Sequence, residues 1–186
     1  MKKIMELIDE NPVILGIKSE QDVEPAVKNS GKIVFTLFGN IADIVSMIGR
    51  LKEAGKIVFV NVDLVDGFES KSSVLRFLKE NTETDGIISS KAAMLQVAKE
   101  LGFYTVHRFF ILDSVSYGNI SEQLNKSNPD FVNIVPGWSK IIEWTVQEHK
   151  KPVIASGLIS DRKSVSDSLK AGAAAICTTN HDVWNM

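Results

Sequence analysis

The pentapeptide Gly31-Lys32-Ile33-Val34-Phe35 recurs unchanged as Gly55-Lys56-Ile57-Val58-Phe59, and this self-similarity constrains the fold more than any other feature of the chain. Two strands that open alike imply a structure built by repeating one unit. Continuing the spacing gives eight apolar, β-rich runs, at 13–17, 33–38, 57–62, 86–89, 103–108, 131–135, 153–156 and 174–177. The segments between them carry helical periodicity. Ile41-Ile44-Val45-Ile48 and Met94-Leu95-Ala98-Leu101 place their apolar groups on one face by steps of three and four. Gly55, Gly102 and Gly172 follow charged helical stretches and mark helix ends, with a strand after each.

Runs such as Ile57-Val58-Phe59-Val60 are apolar at consecutive positions. That pattern suits parallel strands covered on both faces, since a sheet with one wet face alternates. Eight strand–helix units in series favour an α/β fold of the TIM type, a compact (β/α)8 barrel, although the chain is shorter than the usual range of roughly 200 to 400 residues. The competing architecture is an open doubly wound sheet, which needs a switch point and usually has fewer strands.

With 186 residues, 44% of them apolar and 24% charged, the chain can bury a sizeable core, and a single domain spanning 1–186 is expected. Lys2 and Lys3 precede an apolar stretch broken by Glu6, Asp9 and Glu10. The sequence therefore predicts no signal peptide and no membrane anchor. Cys177 is the only cysteine, which excludes an internal disulfide and fits a reducing compartment, so the expected location is cytoplasmic. The formal net charge of −2 gives no general attraction to nucleic acid, and any RNA contact has to be local.

A barrel of this kind keeps its chemistry at the carboxyl ends of its strands. Polar residues gather there: Lys18, Asn61 with Asp63, Ser89 with Ser90 and Lys91, His107 with Arg108, Asn133 before Pro136-Gly137, Ser156-Gly157, and Thr178-Thr179-Asn180. The last two turns matter most. Phosphate in this fold often sits between the loops after strands seven and eight. Gly157 allows close backbone approach, and Thr178, Thr179 and Asn180 offer hydroxyls and N–H groups. The same residue types also serve as ordinary turn and cap residues.

Arg108 offers a fixed guanidinium for a phosphate or carboxylate, or else an ion pair with Asp63 or Asp113. Lys18 and Asp63 form a charge pair across the rim, a ligand clamp, or an acid/base couple. His107 should face the helices as a structural residue, while His149 and His181 stand isolated. No metal-ligand spacing is present, and neither metal nor cofactor is expected. Cys177 reads as a small packed hydrophobe. Trp138 and Trp144, six residues apart, cannot share one helical stripe; core packing is the expectation, with one exposed for a subunit contact or a base as the alternative.

These blocks resemble a known family. Val60-Asn61-Val62-Asp63-Leu64-Val65-Asp66-Gly67, Gly86-Ile87-Ile88-Ser89-Ser90, Arg108-Phe109-Phe110-Ile111-Leu112-Asp113-Ser114, Val135-Pro136-Gly137 and Thr178-Thr179-Asn180 follow, in order and spacing, the pattern of the glycerol uptake operon antiterminator regulatory proteins, from about residue 11 to 184. Two positions depart from it. Asn133 stands where the family often has glutamate, and Ser156-Gly157 where Gly-Gly is usual.

The resemblance implies a barrel that senses glycerol 3-phosphate and, when loaded, binds the mRNA leader of glycerol-utilisation genes so that transcription passes a terminator. It implies a regulator and no catalyst. The ligand would sit on Gly157, Leu158, Thr178, Thr179 and Asn180, with Lys18, Asp63, Ser89 and Arg108 at the rim. Candidate RNA contacts are Lys71, Arg76 and Lys79 on one helix, Lys150 and Lys151 before the seventh strand, and Arg162 and Lys163 after it, each equally readable as a solvated helix face. A homodimer is a further expectation. Two rivals stand beside the regulator. One is a phosphosugar or triose-phosphate enzyme using Asp63 as base with Lys18 or Arg108 as stabiliser; the other is a barrel kept only as an interaction module.

Overall fold

The structure, a computed structural model, describes residues 1–186. Eight parallel strands, β1 (Val13–Ile17), β2 (Ile33–Thr36), β3 (Ile57–Asn61), β4 (Gly86–Ser89), β5 (Tyr104–Phe110), β6 (Phe131–Val135), β7 (Val153–Ser156) and β8 (Ala175–Thr178), close into a barrel in sequence order. The α/β barrel expected from the strand count is present, and the open sheet is excluded because β8 pairs with β1. The repeated pentapeptide forms one neighbouring strand pair of the barrel. Its two copies lie side by side with Ile33 against Ile57, Val34 against Val58 and Phe35 against Phe59.

Helices α2 (Val23–Lys28), α3 (Ile44–Glu53), α4 (Ser72–Asn81), α5 (Ala92–Glu100), α6 (Ser114–Gly118), α7 (Ile120–Ser127), α8 (Ser139–Glu148) and α9 (Arg162–Lys170) wrap the outside, and α10 (His181–Trp184) follows β8. Gly55, Gly102 and Gly172 take positive φ just beyond α3, α5 and α9, as the sequence predicts. Alternate strand residues point outward, so Leu15, Val34, Val58, Val60, Ile87 and Val132 pack beneath the helices in the larger core. Their neighbours fill the barrel itself: Phe35, Phe59 and Phe131 with Ile14, Ile88 and Val106. Gly86 belongs to this fit, because a Cβ there would stand 2.3 Å from the Phe59 ring.

Some boundaries differ from the sequence reading. β2 ends at Thr36, although the Leu37 amide still bonds the Ile17 carbonyl. β5 runs on to Phe110, paired with Val135, and so carries Arg108 along a strand rather than at its end. A helix, α1 (Lys2–Glu10), stands where the sequence shows only a broken apolar stretch. Ile4 and Ile8, one turn apart, are each 2% exposed and join the residues that fill the barrel. Burial of these two side chains ties the helix to the floor of the barrel.

Candidate ligand-binding site

The polar strand ends surround a cavity of about 680 Å³. Lys18 and Asp22 supply one wall, the segment 156–160 a second, and the segment 178–181 a third; Phe35, Arg108, Asn133 and Cys177 line it from the strands. Lys18, Arg108, Gly157, Leu158, Thr178, Thr179 and Asn180 therefore come together. Asp63 and Ser89 do not line this cavity.

Arg108 is the unusual member. Its side chain is half-buried, it takes part in no ion pair, and its Nε is buried without a hydrogen-bond partner. The guanidinium instead lies 4.7 Å from the centre of the Phe110 ring. Burial pulls its pKa below the ordinary arginine value, and Cys177 and Asp63 oppose that only in part. The alternative of an ion pair with Asp63 or Asp113 does not hold, because both carboxylates are engaged elsewhere. Asp63 accepts from the Ser89 hydroxyl at 2.9 Å and from the Ser90 amide and hydroxyl at 2.6 and 2.8 Å. Asp113 caps α6 by accepting from the Ser116 amide. Lys18 does not pair with Asp63 either; its amide donates to Asp22 at 2.9 Å.

The turn after β7 is strained. Gly157 has φ +75 and Leu158 φ +58, so two successive residues are left-handed, and the leucine side chain is 74% exposed. The amides of Gly157, Leu158 and Thr179 donate to no acceptor within the protein. Unused amides lining the same cavity as a half-buried cation are suited to an anion. Two neighbouring side chains are already engaged. The Thr178 hydroxyl donates to the Ile159 carbonyl at 2.7 Å, and the Asn180 carboxamide donates to the Ser160 carbonyl while accepting from the Asp182 amide. These bonds hold the walls together.

Asn133, one of the polar strand-end residues, reaches across to Ser156 Oγ at 2.6 Å and to the Ile154 carbonyl. Asp22 and His181 are lining residues that the sequence does not bring together. Asp22 accepts from the Lys18 amide, the Ser19 hydroxyl and His181 Nε2 at 2.9 Å. Nothing in the local sequence joins Asp22 to a histidine 159 residues away. The only signal was Ser19 three residues before Asp22, a turn-stabilising spacing.

The remaining candidates lie elsewhere. His107 is buried against the helices, bonded to Ser127 Oγ at 2.8 Å and to the Ser90 carbonyl, and burial lowers its pKa. The Cys177 thiol is pushed up to about 12 by burial. Trp138 and Trp144 are both substantially exposed, against the expectation of core packing, because the buried stripe of α8 runs through Ile141, Ile142 and Thr145. Trp144 rests edge-on against Tyr117. Lys71 precedes α4 instead of sitting in it and pairs with Glu69, Arg76 is exposed, and Lys79 lies over the Phe103 ring. Lys150 and Lys151 adjoin the amino end of β7, whereas Arg162 and Lys163 follow its carboxyl end, with Lys163 paired to Asp167. Lys150 and Lys151 on one side of β7 and Arg162 and Lys163 on the other therefore lie at opposite ends of that strand. No group of three or more histidine, cysteine or carboxylate side chains is placed to hold a metal, and no helix is long and apolar enough to cross a membrane.

The family model of the glycerol-3-phosphate responsive antiterminators matches residues 13–184. The chain belongs to that family. The uncharacterized protein YgcP of Escherichia coli (strain K12) is 40% identical over 184 residues, covering 98% of this chain and 96% of that protein. The solved structure of the glycerol uptake operon antiterminator regulatory protein of Listeria monocytogenes is similar with a TM-score of 0.91 at 26% identity, over 94% of this chain and 95% of that one. A glycerol uptake operon antiterminator-related protein of Thermotoga maritima gives a TM-score of 0.82 at 30% identity, over 94% and 98% respectively. Barrels with less than 25% identity, such as the deoxyribose phosphate aldolase of Aeropyrum pernix, share the fold alone.

Proposed function

We propose that this antiterminator binds glycerol 3-phosphate in the cavity at the strand ends and, so loaded, binds the leader of a glycerol-utilisation transcript. One observation carries the ligand half of the proposal: the Arg108 guanidinium is half-buried beside the cavity with no anionic partner of its own. A charge left in this state is costly, and a phosphate group would supply the missing acceptor. The unused amides of Gly157, Leu158 and Thr179 would take the remaining phosphate oxygens, and Lys18 stands at the same rim.

The family supports the regulatory role over the enzymatic one, and the geometry offers the enzyme reading little. Its nominated base, Asp63, accepts three hydrogen bonds from Ser89 and Ser90 and is not part of the cavity lining. A carboxylate held in this way serves as a loop staple. No metal or cofactor enters the proposal.

Titration of leader RNA into the protein, with and without glycerol 3-phosphate and at two salt concentrations, tests it. RNA affinity should rise with the ligand and fall steeply with salt as lysine and arginine contacts release counterions. Equal RNA affinity with and without ligand at low salt refutes the regulatory half. Turnover of glycerol 3-phosphate or a related phosphosugar refutes the assignment as a non-enzyme.

A further inference from the structure

Asp22 and His181 come from opposite ends of the chain and meet in the wall of the cavity. Asp22 is 6% exposed, unusual for a carboxylate, and it accepts from the Lys18 amide, the Ser19 hydroxyl and His181 Nε2. Burial pushes the Asp22 carboxyl up, but the hydrogen bonds from Lys18, Ser19 and His181 outweigh it and hold the group below the usual carboxylate range. The ring of His181 is fixed from a second side by Trp184, whose ring centre is 4.2 Å away at an interplanar angle of 31°. Trp184 is itself anchored through Nε1 to the Thr178 carbonyl at 2.8 Å.

An ionised Asp22 bound to Nε2 fixes which nitrogen keeps the proton. Nδ1 is then free of any partner within the protein. When the ring is neutral, Nδ1 is an acceptor and repels an anion. When the ring is charged, it is a donor. We propose that His181 is a further ligand contact of the effector cavity, donating from Nδ1 to the anionic group of the ligand, with Asp22 as the positioning residue that fixes its tautomer and orientation. The inference rests on the reading of the cavity as a phosphate-ester site and deepens it. It adds an imidazole contact to the guanidinium of Arg108 in the same cavity.

The charged and titratable groups around the ring are few. Asp22 faces it from the turn after β1, Lys18 lies at the end of β1, Arg108 and Cys177 line the same cavity from β5 and β8, and Asp182 is next on α10. Histidine changes charge between about pH 5 and 8. Binding of glycerol 3-phosphate should therefore weaken with rising pH by more than the ligand's own ionisation explains.

The experiment is isothermal titration of glycerol 3-phosphate into the full chain and into His181→Asn, from about pH 5.5 to 8.5 at constant ionic strength. The ligand's second ionisation affects both proteins alike, so the ratio of their affinities isolates the imidazole. That ratio should be about tenfold in favour of the native protein at the acid end, the loss of one charge-assisted hydrogen bond, and close to one at the alkaline end. A ratio that does not change with pH overturns the proposal. Asp22→Asn should flatten the pH dependence while His181 remains; if that variant fails to fold, His181→Asn, altering a side chain 42% exposed, decides alone. Absence of binding to either protein at every pH sinks the phosphate-ester reading itself, and this inference with it.

Discussion

Replacing Arg108 with methionine should move folding and binding in opposite directions. In the empty protein the guanidinium is half-buried, its Nε has no acceptor, and the Phe110 ring returns only part of the cost. An unmet buried donor costs about 1–3 kcal/mol, and a cation–π contact at a partly exposed site gives back about 0.5–1 kcal/mol. The arginine thus destabilises the empty barrel by a net amount of about 1 kcal/mol. Methionine keeps a flexible apolar chain in the same space, so R108M without ligand should melt about 2–4 °C higher than the native protein. Ligand affinity goes the other way. Losing a hydrogen bond to a charged group removes about 1.5–3 kcal/mol, which raises the Kd by about 10- to 150-fold. At a glycerol 3-phosphate concentration of about 100 times the native Kd, the ligand stabilises the native protein by about 2.7 kcal/mol, or roughly 5–11 °C. A variant with 100-fold weaker binding gains only about 0.4 kcal/mol, near 1 °C, at the same concentration. Scanning fluorimetry with and without ligand, backed by calorimetric titration, reads both quantities. A variant that melts lower when empty and keeps the whole ligand-induced rise refutes the reasoning.

Asp63→Asn should leave the Kd for glycerol 3-phosphate within about threefold, while weakened bonds to Ser89 and Ser90 lower the melting point by about 2–4 °C; a loss of binding in titration would return Asp63 to the site. Gly86→Ala forces a methyl into the Phe59 ring and should destabilise by about 1–3 kcal/mol in urea unfolding, with the m-value unchanged. Ile4→Ala should cost about 2–5 kcal/mol by the same assay, a loss too large for a helix that merely rests on the surface.

The architecture was legible because its signal is periodic. Consecutive apolar residues, helix-ending glycines and a duplicated strand opening each report a local environment, and eight copies of a local signal leave few topologies. Helix α1 was missed because nine residues with charges at positions 2, 3, 6, 9 and 10 satisfy a test for the absence of a signal peptide. The one-turn spacing of Ile4 and Ile8 was present but served no strand. At the site, the turns at Gly157 and Thr179 were visible through their residue types. What the sequence could not reveal was partnership. Ser89 and Asp63 looked like ligand contacts until each was found bonded to the other, and His181 looked isolated because Asp22 is distant along the chain. The side chains of Thr178 and Asn180 were spent on the opposing turn for the same reason.

Because α1 stops the barrel from below and three phenylalanines fill its middle, the cavity proposed to hold the effector is backed by packed side chains on the side away from the strand ends. A macromolecule seated over the strand ends would also close the effector's way out. Release of the small molecule would then wait on departure of the large one, and its residence time would become a clock for the complex.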